Sequence, residues 1–170
     1  MTSYTNATPA GTSDSTARVI PNDEVVDVLD DLLENTRDGE YGFRACAEEV
    51  NSEQLKRVFQ ERASQCATAA SELGGLIRQL GGEVDDGGSV SGAMHRGWVH
   101  VKGKIGADSP FSMLEECERG EDAAVARYRK ALKAELPAEV RAVVQRQAEG
   151  AQRNHDQIKS LRDQMRAAKA

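Results

Sequence analysis

The sequence predicts an all-α protein, a four-helix bundle in which one long crossover connection joins the second helix to the third. Three observations carry that expectation. Apolar residues recur at intervals of three and four in four separate stretches, as they do along one-faced helices. Aromatic residues make up only 4% of the chain, against 29% charged and 39% hydrophobic, a balance that suits packed amphipathic helices and makes an all-β fold a poor fit. The gaps between the stretches run short, long, short, which is the connectivity of a bundle with one crossover. At 170 residues the chain is the size of one domain and can bury a core without disulfides or structural metal.

Residues 1–21 are rich in Thr, Ser, Ala, Gly and Pro. They cannot bury enough surface to offset the entropy of ordering, so a disordered tail is expected there and the bundle is assigned to residues 22–170. Order is expected from Pro21-Asn22-Asp23-Glu24, where Asn22 can cap free amides and the two acids suit the positive end of a helix dipole. The first stripe is Val25, Val26, Leu29, Leu32, Leu33, Phe43, Ala47 and Val50, with Thr36 and Glu40 in the slots between. Asn51 with Gln54 reads as a capping box that starts a second helix almost without a loop, so the two helices run antiparallel. Its stripe runs from Leu55, Phe59, Arg62 and Cys66 through Ala69 and Leu73 to Ile77 and Leu80. Gly81-Gly82 then ends it by permitting left-handed backbone.

Residues 82–109 form the long connection. Trp98-Val99-His100-Val101 alternates like a strand, but a lone strand would have no partner. Met94, Trp98, Val101 and Ile105 also fit helical spacing, and a short helix within the crossover is preferred. Ser109-Pro110 supplies a cap and a first-turn proline for the third long helix, whose stripe is Leu114, Cys117, Glu121, Ala124, Tyr128 and Leu132. Pro137 opens the fourth, with Val140, Val144, Gln147, Ala151, His155, Ile158, Leu161 and Met165 facing inward. Arg162, Arg166 and Lys169 suit its negative end.

If the crossover returns the chain along the bundle, the second and third helices are parallel and depth can be counted from their common end. Glu40 lies ten positions before Val50, Glu61 ten after Asn51 and Glu121 ten after Phe111. On the fourth helix, Ala151 or Gln152 and His155 fall at that depth. With a rise of about 1.5 Å per residue, these groups share a slab roughly 15 Å below the bundle end. Four helices that aim a Glu from each of two and a Glu-x-x-His from each of the others into one slab can hold a carboxylate-bridged pair of metal ions. Here the pattern is partial: Glu40, Glu61, Glu118, Glu121 and His155 are the candidate ligands, and iron or manganese the candidate ions. The fourth helix offers Gln152-Arg-Asn-His155, with an amide where a carboxylate is usual, and Ser64 stands where the second helix would need a histidine.

The same residues have plainer uses. Glu40 could pair with Arg62 of the adjacent helix, a buried ion pair that fixes register more than it stabilises. Glu118 and Glu121 belong to the run Glu115-Glu116-Cys117-Glu118-Arg119-Gly120-Glu121-Asp122, where a solvated face is the ordinary use of an acid. His155 could be a satisfied histidine at the edge of the core. His95 and His100 are five apart and are not expected to bind metal. Cys46, Cys66 and Cys117 are odd in number, widely spaced and without a CxxC pair, which argues against a disulfide framework or zinc site and for reduced core residues.

A net charge of −6 with no long basic run lacks the electrostatic footprint of nucleic-acid binding. No stretch approaches the roughly 20 apolar residues of a membrane span, and no charged start with an apolar segment follows the first residue. A cytoplasmic protein that contacts neither nucleic acid nor membrane is the expectation. Val26, Leu33 and Trp98 would leave apolar surface that a second copy could cover, as a homodimer or higher homo-oligomer.

Taken together, Asp38-Gly39-Glu40-Tyr41-Gly42-Phe43, the segment from Phe59 to Arg62, His95-Arg96-Gly97-Trp98, the acidic run from Glu115 to Asp122 and His155-Asp156 resemble a bacterial family of ferritin-like four-helix-bundle proteins classed as a domain of unknown function. The resemblance covers roughly residues 22–165. It implies the ferritin-like fold and supports the helical reading around Trp98, and it implies no established activity, substrate or cofactor. The chain departs from iron-binding ferritins in having no Glu-x-x-His on the second helix and no ligand Glu on the fourth.

Two functions compete. In one, the chain is a non-enzymatic structural or stress-related interaction protein whose polar slab is a structural network. In the other it is a metal-binding or redox bundle, a degenerate form of the di-iron type. The first is preferred because a di-iron site usually needs six protein ligands and only three or four are at hand. An enzyme is the lesser expectation, since neither GxSxG nor HExxH occurs.

Overall fold

A computed structural model of the chain describes residues 20–85 and 109–169. They form four helices: α1 Asn22–Glu49, α2 Glu53–Gln79, α3 Pro110–Ala131 and α4 Ala138–Lys169. The short helix expected in the crossover, with His95, Trp98 and His100, lies outside the described residues, as does the tail up to residue 19.

Two apolar clusters, one near each end, fix the direction of every helix. One gathers Leu29 and Leu32 from α1, Leu73 and Ile77 from α2, Tyr128 and Ala131 from α3, and Val140 and Val144 from α4. The other gathers Phe43 and Ala47, Leu55 and Phe59, Leu114 and Cys117, and Ile158 from the same helices in the same order. The start of α1 thus lies with the end of α2, the end of α3 and the start of α4. Helices α2 and α3 run parallel, as the crossover requires, and α1 and α4 run the other way. Helix α1 packs on α2 and α3, and α4 on α3 and α2, so α2 faces α3 across the diagonal.

Local chemistry sets most helix ends. Ser109 Oγ accepts from Ser112 N at 3.3 Å, with Pro110 in the first turn of α3, as predicted. At the end of α2, Gly81 adopts φ +84° and donates to Arg78 O, while Gly82 donates to Ile77 O, a paired closure of the last carbonyls. Arg141 donates to Leu132 O and Ala134 O, satisfying carbonyls at the end of α3 that the helix itself cannot pair.

Two expected caps differ. Helix α1 begins one residue earlier than expected, with Val25 N on Pro21 O, and places Asn22 inside the helix. Helix α2 is capped by Ser52, whose Oγ accepts from Leu55 N, in place of Asn51. Leu33 is a second kind of correction. It is buried inside the bundle and is unavailable to a second copy, because the inward stripe of α1 is wide enough to take both Leu32 and Leu33.

Candidate functional site

At mid-height the apolar lining gives way to polar groups. Arg62 and Glu121, from the two diagonal helices, are only 5% and 2% exposed. Arg62 Nε donates to Glu121 Oε1 at 2.9 Å, and its Nη2 donates to the same oxygen. Arg62 Nη1 reaches Gln65 Oε1, and the guanidinium lies 5.2 Å over the Phe43 ring. Burial pushes the Glu121 carboxyl up, against the lowering pull of the Arg62 charge. The depth count therefore put Arg62 and Glu121 at the right level, but the alternative in which Arg62 pairs with Glu40 is overturned. Glu40 turns along its own helix to Arg44 at 2.5 Å, because it sits at the edge of the α1 stripe, where the nearest cation is one turn away.

The other candidate ligands lie around this pair. Glu118 accepts from Arg162 of α4. His155 faces carboxylates with both ring nitrogens, Nε2 lying 2.8 Å from Asp122 Oδ1 and Nδ1 lying 3.0 Å from Asp156 Oδ1. Glu61 is exposed and accepts from Gln65 Nε2 at 3.3 Å. Among the described residues, one group of three brings ligand atoms within 4.8 Å of one another: Glu118, Asp122 and His155. Asp122 was not singled out from the sequence. Its spacing of four from Glu118, on the helix beside His155, was the available signal, hidden in a run of acids.

Two turns towards the other end, the Tyr128 hydroxyl donates to Gln147 Oε1 at 3.0 Å, and Gln147 Nε2 donates to Ala69 O at 3.3 Å. Burial pushes the Tyr128 hydroxyl well above its usual range. Cys66, beside the ion pair, is pushed up to about 11, chiefly by burial. The Sγ atoms of Cys46 and Cys117 lie 3.6 Å apart, and the Cys117 thiol is held far above its ordinary value by its hydrogen bond to Cys46 and by burial.

A carboxylate-bridged ion pair needs acids converging with free oxygens. In this slab the cation facing Glu121 is a guanidinium, while Arg162 engages Glu118 Oε2 and Arg44 engages Glu40 Oε1. Fold and site together define an all-α four-helix bundle centred on a buried arginine–glutamate pair. A family profile described as Domain of unknown function (DUF2383) matches residues 24–134, and the chain belongs to that family. The match spans α1 to α3 and leaves α4, with His155 and Gln147, outside it. Among curated proteins none matches the chain. No helix among the described residues is long and apolar enough to cross a membrane.

Proposed function

We propose that this protein is a ferritin-like bundle that acts as a non-enzymatic structural or interaction protein in the cytoplasm, its central polar groups serving as an internal network. The observation that carries this reading is the Arg62 guanidinium at the centre of the bundle, bonded to Glu121 and Gln65. Arginine keeps its charge at every ordinary pH and cannot ligate a metal. It meets electrostatically the need of a buried carboxylate that metal ions would otherwise meet. The reading predicts that excess ferrous or manganous ion leaves the melting temperature of the full chain unchanged. A rise of several degrees would overturn it.

A second reading rests on Glu118, Asp122 and His155, whose ligand atoms lie within 4.8 Å of one another. Two carboxylate oxygens and an imidazole suit one divalent transition-metal ion, though Arg162 competes for Glu118. It predicts stoichiometric uptake of ferrous or manganous ion that disappears in His155→Ala. Equal uptake by the variant and the native chain would remove this reading and leave the first untouched.

A further inference from the structure

Between the two apolar clusters the bundle is not closed. A cavity of about 950 Å³ occupies its waist, bounded by all four helices. Its origin is in the sequence: Gly39, Gly42, Ala69, Gly120, Ala124 and Gly150 all fall at this height. Helical cores otherwise close to crystal-like density, and an opening of this size lies in the range of small-molecule sites, roughly 300–1,000 Å³. The leading stretch of the crossover does not line it. Gly82 packs towards Val26 and Ile77, Val84 lies near Gly74, and Asp85 O accepts from Arg37, which together keep residues 82–85 beside α1 and α2.

The lining also selects the chemistry of an occupant. Inside are the Phe43 and Tyr128 rings with the thiols of Cys66 and Cys117. Among the described residues the one buried cation, Arg62, is neutralised by Glu121, and no buried side-chain nitrogen or oxygen lacks a hydrogen-bond partner. At the rim, Arg119 is paired with Glu116, Arg127 with Asp31 and Arg146 with Glu72, while Arg153 stands exposed in solvent. An ion entering the waist would lose its hydration and meet charge only at the mouth, on Arg153, Glu34 and Asp38, whereas an apolar molecule gains by burial. Glu34 and Asp38 at the α1 side of the mouth further disfavour an anion, and burial raises the Asp38 carboxyl.

We propose that the waist cavity is a binding site for one neutral, ring-bearing apolar molecule, held against Phe43, Cys66 and Tyr128. Function would then lie in carrying or sensing such a compound, which goes beyond the structural role of the polar network and does not depend on metal. The test uses the full chain and two fluorescent probes that differ by one sulfonate, N-phenyl-1-naphthylamine and 8-anilinonaphthalene-1-sulfonate. The neutral probe is expected to bind saturably, one per chain, and at least tenfold more tightly than the anionic one. At saturation it should slow alkylation of Cys66. Ala124→Phe and Ala69→Phe, which fill the cavity from opposite helices, should each weaken binding at least tenfold with helicity retained. Absence of saturable binding, equal or tighter binding of the sulfonate, or unaltered binding in a folded variant would each overturn the proposal. Should both variants unfold, the probe comparison and the protection of Cys66 in the native chain still decide it.

Discussion

Arg62 on α2 and Glu121 on α3 bond across the diagonal of the bundle, with Nε and Nη2 both on Glu121 Oε1 and side chains only 6% and 2% exposed. These helices are not neighbours in the packing. The pair is therefore a buried charged tie between the two helical hairpins at mid-height, beside the Asn154 Nδ2 bond to Gln65 Oε1, and it helps set the level at which α2 and α3, running parallel, stand beside each other. A shift of one helix by a turn would leave both charges buried and alone, which is the costly state.

That cost can be measured. Glu121→Leu leaves the guanidinium with Gln65 and the Phe43 face but no counter-charge, and about 3–5 kcal/mol of stability should be lost in denaturant unfolding. Combining it with Arg62→Met should restore most of the loss, since an apolar pair of similar volume removes both desolvation penalties. A loss in the double variant equal to the sum of the two single losses would show that the two side chains are not coupled.

Cys66 should react slowly with alkylating reagents. Its thiol is raised from an ordinary value of 9.0 to about 11, so near pH 8 its thiolate fraction is about 100-fold below that of a free thiol. Burial disfavours the charged form, so the sign is towards inertness, and the rate of alkylation by iodoacetamide should climb about tenfold per pH unit until pH approaches 11. A rate at pH 8 equal to that of free cysteine would contradict this environment.

Two glycines should respond in opposite directions. Gly75 is helical and a Cβ there meets nothing within 4 Å, so Gly75→Ala should stabilise by about 0.5–1 kcal/mol by reducing the freedom of the unfolded chain. At Gly82 a Cβ would stand 2.7 Å from Ile77 Cγ2 and 3.0 Å from Val26 Cγ1. Ile77 is fully buried and cannot retreat freely, so Gly82→Ala should lose about 1–3 kcal/mol. Thermal melts of the two variants side by side give the comparison.

Tyr128→Phe removes the donor to Gln147 Oε1 without changing the shape of the ring. The buried amide oxygen then lacks its partner, and a loss of about 1–3 kcal/mol follows. The doubly substituted chain, with Gln147→Leu added, should recover part of it. An unchanged unfolding midpoint in Tyr128→Phe would mean that water takes the place of the hydroxyl.

Much of the architecture was legible because the signals are local. The stripes of α1 to α4, the Ser109-Pro110 start and the Gly81-Gly82 stop all depend on residues within a turn of one another. The common depth of Arg62 and Glu121 was legible too, since helices have a fixed rise and the connections fixed their directions. Caps were less so. Asn51 and Ser52 both offer a side-chain acceptor, and one residue's displacement of the helix start chooses between them.

The amino-acid order by itself determined four amphipathic helices, their directions and the height at which polar side chains enter the core. Only the tertiary structure decided which acid Arg62 takes, that Asp122 joins Glu118 and His155, and that small residues at the waist leave an opening. The physical reason is that periodicity fixes which face of a helix turns inward. The rotation of each helix about its axis and the separation of the two hairpins come from the packing of all four at once. A rotation of a few tens of degrees is enough to exchange Glu121 for Glu40 as the partner of a long, flexible arginine.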